Sequence, residues 1–271
     1  MKSILVISAK DLTYYGLIGR PHFFIQYLTK HFRIILFNNP QYWKWRYKKP
    51  SDEFKKYLPS SRVKIINGYP LRIYNIVLYE AINLLLNFVK LARLIYREKP
   101  VCIVNYNIFL NLPLALLPGR PPLVIDLVDP LPVLMRKGIS GECTSLNRFF
   151  ISLLRYLIEA LGRICLRCCE LVIACSPRLY DYAKLVGVKR AMLIPHGVRL
   201  FKRHIDVSVA RAKYGLSDDA VVICYVGALR FLDVNLLISS LCLLRERGLN
   251  VKLLIAGDGP QLDELKKALI T

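Results

Sequence analysis

The chain has 271 residues, is 54% apolar, and sets 40 lysines and arginines against 19 aspartates and glutamates, a formal net charge of +21. That length holds one large or two smaller globular units, and the charge points to a polyanionic neighbour: anionic lipid, a phosphorylated substrate or nucleic acid. The eight cysteines exclude a convincing disulfide or zinc framework, because Cys165-x-x-Cys168-Cys169 has no second pair at ligand spacing.

The N-terminus reads as a buried strand, Ser3 to Ser8, broken by Lys10-Asp11 and so unlike a secretory signal. A loop from Ala9 to Gly19 carries Gly16 and Gly19, and a helix opens at Pro21, where a missing N–H costs nothing. Arg33 to Phe37 is the next strand, giving the strand, glycine loop, helix and strand that open a doubly wound fold. From Pro40 to Ser61 aromatic and basic residues interleave, as in Tyr42-Trp43-Lys44-Trp45-Arg46-Tyr47. Such a segment suits the headgroup layer of a membrane or stacking on single-stranded nucleic acid, and an exposed loop is the plainer alternative.

Val63 to Ile66 reads as a short strand and Leu71 to Tyr96 as a long, mostly buried helix stopped at Pro100. No membrane span is expected. Glu80, Lys90 and Arg93 interrupt the helix at about 2.5–3.5 kcal/mol each, and the charge-free stretch 101–119 is broken by asparagines and prolines. Val101 to Val104 and Leu123 to Asp126 are two more strands, so Asp126 and Asp129 come at a strand's carboxyl end. There an α/β sheet places its chemistry, although aspartates after strands often only cap turns.

Ser145 to Cys169 reads as a helix, Leu171 to Cys175 as a strand, Ser176-Pro177 as a capped helix start, and Ala191 to Ile194 as the last strand of this half. A boundary follows, with units expected over 1–200 and 201–271. After the short helix Asp206 to Tyr214, the apolar runs Val221 to Val226 and Val251 to Ala256 flank a helix through Leu236, Leu241 and Leu244, one βαβ unit. Gly227 and Gly257-Asp258-Gly259-Pro260 close its strands, either for a phosphate's approach or simply to turn tightly.

In this order the signals resemble the retaining GT-B glycosyltransferases of glycosyltransferase family 4. The pieces are Arg20-Pro21-His22, Ile125-Asp126-Leu127-Val128-Asp129, Val172 to Leu179, Ile194-Pro195-His196-Gly197-Val198, Tyr225-Val226-Gly227-Ala228-Leu229 with Asp233 to Leu237, and Ile255 to Pro260. The resemblance implies an α/β fold of GT-B type: a complete N-terminal Rossmann-like domain for the acceptor, facing across a cleft the first βαβ unit of a second one for the donor.

It also implies transfer of a sugar from a nucleotide sugar with retention, with no metal or other cofactor. Gly16, Gly19 and Arg20 would come near the donor diphosphate, and Arg230 would supply a cation to it. Asp126 and Asp129 would orient a hydroxyl or hold the transferred sugar. His196, usually asparagine in relatives, and Gly197 would line the donor or substrate site where the chain crosses between domains, His196 in a structural more than a catalytic role, and Gly227, Gly257, Asp258, Gly259 and Pro260 would shape the donor pocket.

Relatives run about a hundred residues further, so the sequence is expected to be a fragment, half of a split enzyme or a decayed gene, weak or inactive as it stands. A glycan or lipid-linked acceptor, a cytoplasmic location at the membrane's inner face and no nucleic-acid partner complete the expectation. Two other readings stand: a non-catalytic basic protein binding anionic membrane or nucleic acid, and a GT-B sugar-nucleotide epimerase.

Overall fold

A computed structural model describes residues 1–9, 11–13, 18–39, 57–59, 61–69, 76–129, 156–157, 159–197, 206–227, 229, 233–259 and 261–270. Contacts divide the chain into two compact units, Met1–Val198 and Arg199–Thr271.

The first unit is a seven-stranded, wholly parallel sheet of β1 (Ser3–Ile7), β2 (Arg33–Asn38), β3 (Val63–Asn67), β4 (Cys102–Asn105), β5 (Leu123–Leu127), β6 (Leu171–Ala174) and β7 (Ala191–Leu193). Their spatial order is β3-β2-β1-β4-β5-β6-β7. The chain builds outward from β1 to one edge and then returns to β4, which pairs with the other side of β1. That reversal is the switch point at which doubly wound sheets bind ligands.

The inner strands β1, β2, β4, β5 and β6 are largely apolar because both faces are covered, while the edge strands β3 and β7 are partly exposed. Along β1, Ile4 and Val6 join one core with Ile25 and Ile34, while Leu5 and Ile7 join the other with Leu91, Leu94 and Ile103. Helices α1 (Arg20–Leu28) and α2 (Ile76–Glu98) supply part of that cover. Between β4 and β5, where the sequence reads as loop, a short 3-10 turn, Ile108–Leu110, runs into α3 (Asn111–Ala115). Asn105 organises this turn: its Nδ2 donates to the Asn107 carbonyl at 2.7 Å and to Asn111 Oδ1, and its Oδ1 accepts from the Asn107 N–H at 2.8 Å. The asparagines that spoil this stretch as a membrane span therefore satisfy one another inside the protein.

Helical residues at 156–157 and 159–167 lie within the expected helix before β6; the rest of that expectation, and the aromatic-basic stretch 42–49, fall outside the described residues. Strand β6 ends at Ala174, so Cys175 lies just beyond the strand expected to contain it. Helix α4 (Pro177–Val186) starts as anticipated, with Ser176 Oγ accepting from the Leu179 N–H.

The second unit pairs β8 (Val221–Val226) in parallel with β9 (Val251–Ala256). Helix α5 (Val207–Lys213) precedes them, α6 (Val234–Glu246) links them, and α7 (Leu262–Ile270) follows. Asp206 caps α5 and Asp233 caps α6 through their carboxylates. Leu229, Val234 and Leu265 make its small core, and Val221 and Val226 stay exposed.

No helix among the described residues is long and apolar enough to cross a membrane. At the amino edge of the first sheet, Glu170 receives Arg120 through Nη1 at 2.9 Å and Nη2 at 3.0 Å, and the Leu123 N–H at 2.7 Å. Arg120 foremost, with that N–H, lowers the Glu170 carboxyl from 4.5 to about 2. A folded pKa below the unfolded one stabilises at neutral pH, and that contribution disappears as pH falls from the unfolded value through the folded one. Thermal melts from about pH 5 down to about pH 2 should show Glu170→Gln melting lower than the parent at neutral pH and declining less across that window; parallel pH profiles would remove Glu170 as the source.

Candidate functional site

Because every strand of the first sheet is parallel, all its carboxyl ends open on one edge. The residues that follow β1, β4, β5, β6 and β7 are therefore gathered there, however distant in sequence.

Helix α1 opens onto this edge. Gly19 is its N-cap, and the Gly19 N–H donates to His22 Nδ1 at 3.1 Å. With Nδ1 accepting, His22 Nε2 carries the hydrogen and donates to the Leu12 carbonyl at 2.9 Å. Burial lowers the pKa of this imidazole against the raising effect of its backbone partners, which suits a neutral ring pinning the loop after β1.

Arg20, the first residue of α1, reaches β5. Its Nε donates to Asp126 Oδ1 at 3.0 Å and Oδ2 at 2.8 Å, and its Nη1 donates to the Pro195 carbonyl beyond β7 at 3.0 Å. The guanidinium lies over the Phe24 ring, 4.9 Å from its centre. The Arg20 side chain is 6% exposed and that of Asp126 0%. Two charges so far from water are tolerated only because their geometry and extra hydrogen bonds offset the desolvation.

Arg20 Nη2 is buried and has no hydrogen-bond partner. Tyr106, just past β4, sets its buried hydroxyl beside the same carboxylate. Burial first, and the Asp126 charge second, raise the Tyr106 phenol well above its ordinary value, so it stays protonated. Cys175 Sγ, beyond β6, donates to the Val128 carbonyl at 3.4 Å and feels the charges of Arg20, Asp126 and Asp129. Asp129 is exposed. The edge thus holds a buried guanidinium and a buried phenol behind one accessible carboxylate, that of Asp129.

A second polar cluster closes the neighbouring strand ends. Asn38 Nδ2 donates to Asp11 Oδ1 at 2.8 Å and Asn67 Oδ1 at 3.1 Å, and Asn38 Oδ1 accepts from the Leu12 N–H at 2.9 Å. Asn39 is fully buried, its backbone N–H on Ser8 Oγ at 3.0 Å and its side-chain amide without a partner.

The expected site residues thus distribute unequally. Arg20 and Asp126 meet, Gly19 shapes the helix start, and Asp129 lies nearby. His196 and Gly197 are exposed beyond Pro195. Gly16, Arg230 and Pro260 lie outside the described residues. In the second unit, Gly227, Gly257 and Gly259 serve close packing: a Cβ on Gly257 would stand 2.0 Å from the Gly227 carbonyl oxygen, and one on Gly259 2.5 Å from that of Leu229. The Leu229 N–H donates to the Asp258 carbonyl at 3.0 Å, locking the two turns, while the Asp258 side chain accepts from the Gly259 N–H at 2.8 Å. Sequence reasoning missed Tyr106, Asn38 and Asn39; asparagines directly after an apolar strand were the available signal. No group of three His, Cys, Asp or Glu able to hold a metal occurs among the described residues.

No protein-family model matches the chain, and a search of curated proteins finds no match. Solved structures do match. Sucrose-phosphate synthase from Thermosynechococcus elongatus aligns over 99% of this chain and 66% of its own, at 16% identity and TM-score 0.63. The lipopolysaccharide outer core galactosyltransferase WaaB, in its apo form, aligns over 98% and 64%, at 13% identity and TM-score 0.57. A ugt transferase from Siraitia grosvenorii in complex with UDP aligns over 96% and 74%, at 11% identity and TM-score 0.52. The chain has the GT-B glycosyltransferase fold. It spans just under two thirds of the length of the first two of these proteins.

Two substitutions separate packing from binding within this GT-B chain. Gly257→Ala must push backbone apart and should cost roughly 1–3 kcal/mol of second-unit stability in urea melts, whereas Gly197→Ala, with nothing within 4 Å of the added carbon, should stay near neutral. Asp126→Asn leaves Arg20 buried beside a neutral amide and should cost roughly 3–5 kcal/mol; a loss below about 1 kcal/mol would mean that water reaches the pair.

Proposed function

We propose that the chain belongs to a glycosyltransferase that takes a sugar from a nucleotide sugar and joins it to an acceptor hydroxyl. The GT-B fold supports transfer from nucleotide sugars in general, and neighbours bound to UDP or UDP-glucose support that donor class. The observation that carries the acceptor side is the carboxyl-edge cluster of the first sheet. In the reaction the bond from the anomeric carbon to the diphosphate oxygen breaks, one to the acceptor oxygen forms, and the acceptor's proton leaves with the nucleoside diphosphate.

Roles divide by burial. Asp126 is a positioning residue, because both its oxygens are spent on Arg20. Arg20 and Tyr106 lie sealed behind the edge and hold its shape, and exposed Asp129 is the carboxylate available to an acceptor hydroxyl. Gly16, Arg230 and the turn from Gly257 to Pro260 are proposed on the donor side, on the motif resemblance alone. Retention, family 4 membership and a lipid-linked acceptor at the cytoplasmic face of an anionic membrane are the finer reading. The motif order supports the first two, and the name of one structural neighbour, a lipopolysaccharide outer core galactosyltransferase, is of the acceptor class.

The test is product formation by the glycosyltransferase that contains this chain, from a panel of nucleotide sugars with a lipid-linked glycan acceptor, the product anomer read by NMR. Transfer with the donor's anomeric configuration is expected, and Asp129→Asn, which removes a charged hydrogen bond to the acceptor hydroxyl, should lower kcat/KM by roughly 10–10². No transfer or hydrolysis of any donor would contradict the proposal.

A further inference from the structure

The outer face of α2 is built unlike an ordinary solvated helix. Leu85, Leu86 and Val89 are 69%, 47% and 50% exposed, and Tyr69, beyond the edge strand β3, is 48% exposed beside them. Leu86, Val89, Lys90, Arg93 and Arg97 recur at three- and four-residue steps, so they share one stripe. Together with β3 they enclose a shallow groove of ≈ 290 Å³ floored by Ile66 and Leu94.

The cations of this face outweigh its carboxylate. Lys90 Nζ donates to the Asn67 carbonyl at 2.6 Å and lies 4.8 Å from the Tyr69 ring centre. Arg97 and Lys64 share Glu98, at 3.2 and 2.9 Å. Arg93 is exposed and forms no ion pair among the described residues. Four cations thus share this face with one acid, next to an aliphatic patch that no described element covers.

We propose that this face docks on an anionic lipid surface, with Leu85, Leu86 and Val89 entering the acyl boundary while Lys90, Arg93 and Arg97 meet headgroup phosphates. Long cationic side chains beside exposed aliphatics are the pattern of an interfacial helix. A single-stranded nucleic acid would ask for free aromatic platforms. Here the exposed apolar groups at the groove are mainly aliphatic, and the Tyr69 ring is already faced by Lys90. This face belongs to the same unit as Arg20 and Asp126. This deepens the proposed membrane contact, yet its test reads binding alone and stands apart from transfer activity.

The experiment is co-flotation of the full chain with vesicles of equimolar phosphatidylcholine and phosphatidylglycerol, against phosphatidylcholine alone. The chain is expected to float with the mixed vesicles only. Each surface cation is worth roughly fivefold in partitioning, so Lys90→Gln, Arg93→Gln and Arg97→Gln together should weaken binding at least about tenfold. Arg247→Gln, Lys252→Gln and Lys266→Gln remove equal charge from exposed positions of the second unit and should weaken it less than about twofold. Leu86→Ser with Val89→Ser should weaken it at unchanged charge. Equal losses from the two charge triples overturn the assignment, as does vesicle binding that survives the groove triple while binding of a single-stranded oligonucleotide is lost.

Discussion

One buried ion pair ties the carboxyl edge of the large unit together. Arg20 and Asp126 are 106 residues apart, and their contact fixes the start of α1 against the end of β5. The same guanidinium reaches the Pro195 carbonyl, so the exit from β7 is drawn in as well. Three segments from opposite sides of the switch point are thereby held by one side chain. The neutral imidazole of His22 does comparable work one turn later, holding the loop after β1 against α1.

The two units use their glycines and acids differently from a simple motif reading. Gly257 and Gly259 are explained by backbone packing on Gly227 and Leu229, whatever else the turn does. Asp126 and Asp129 stand three residues apart on one strand end, yet one is sealed and the other open. Burial alone assigns them different work, the first to geometry and the second to ligand.

Much of the framework was legible. Apolar runs such as Ile4 to Ile7 and Ile34 to Phe37 announce strands covered on both faces, and Ser176-Pro177 and Asp233 announce helix starts. What could not be read locally depends on topology. No pattern around Arg20 reveals that its partner lies on β5, because the pairing exists only once β1, β4 and β5 are adjacent. Tyr106 looked like one aromatic among many until the end of β4 set it beside Asp126. The short helices after β4 escaped notice because their asparagines read as loop formers when their partners are one another. The exposed aliphatics of α2 read as core in the sequence, because periodicity gives a stripe and not its cover.

The pair's role in holding this edge is measured most directly by a double-mutant cycle in urea at positions 20 and 126, using Arg20→Met, Asp126→Leu and both together. The account predicts a coupling of about 2 kcal/mol or more, with the double variant more stable than either single one. Additive losses, with coupling within about 0.5 kcal/mol of zero, would contradict it.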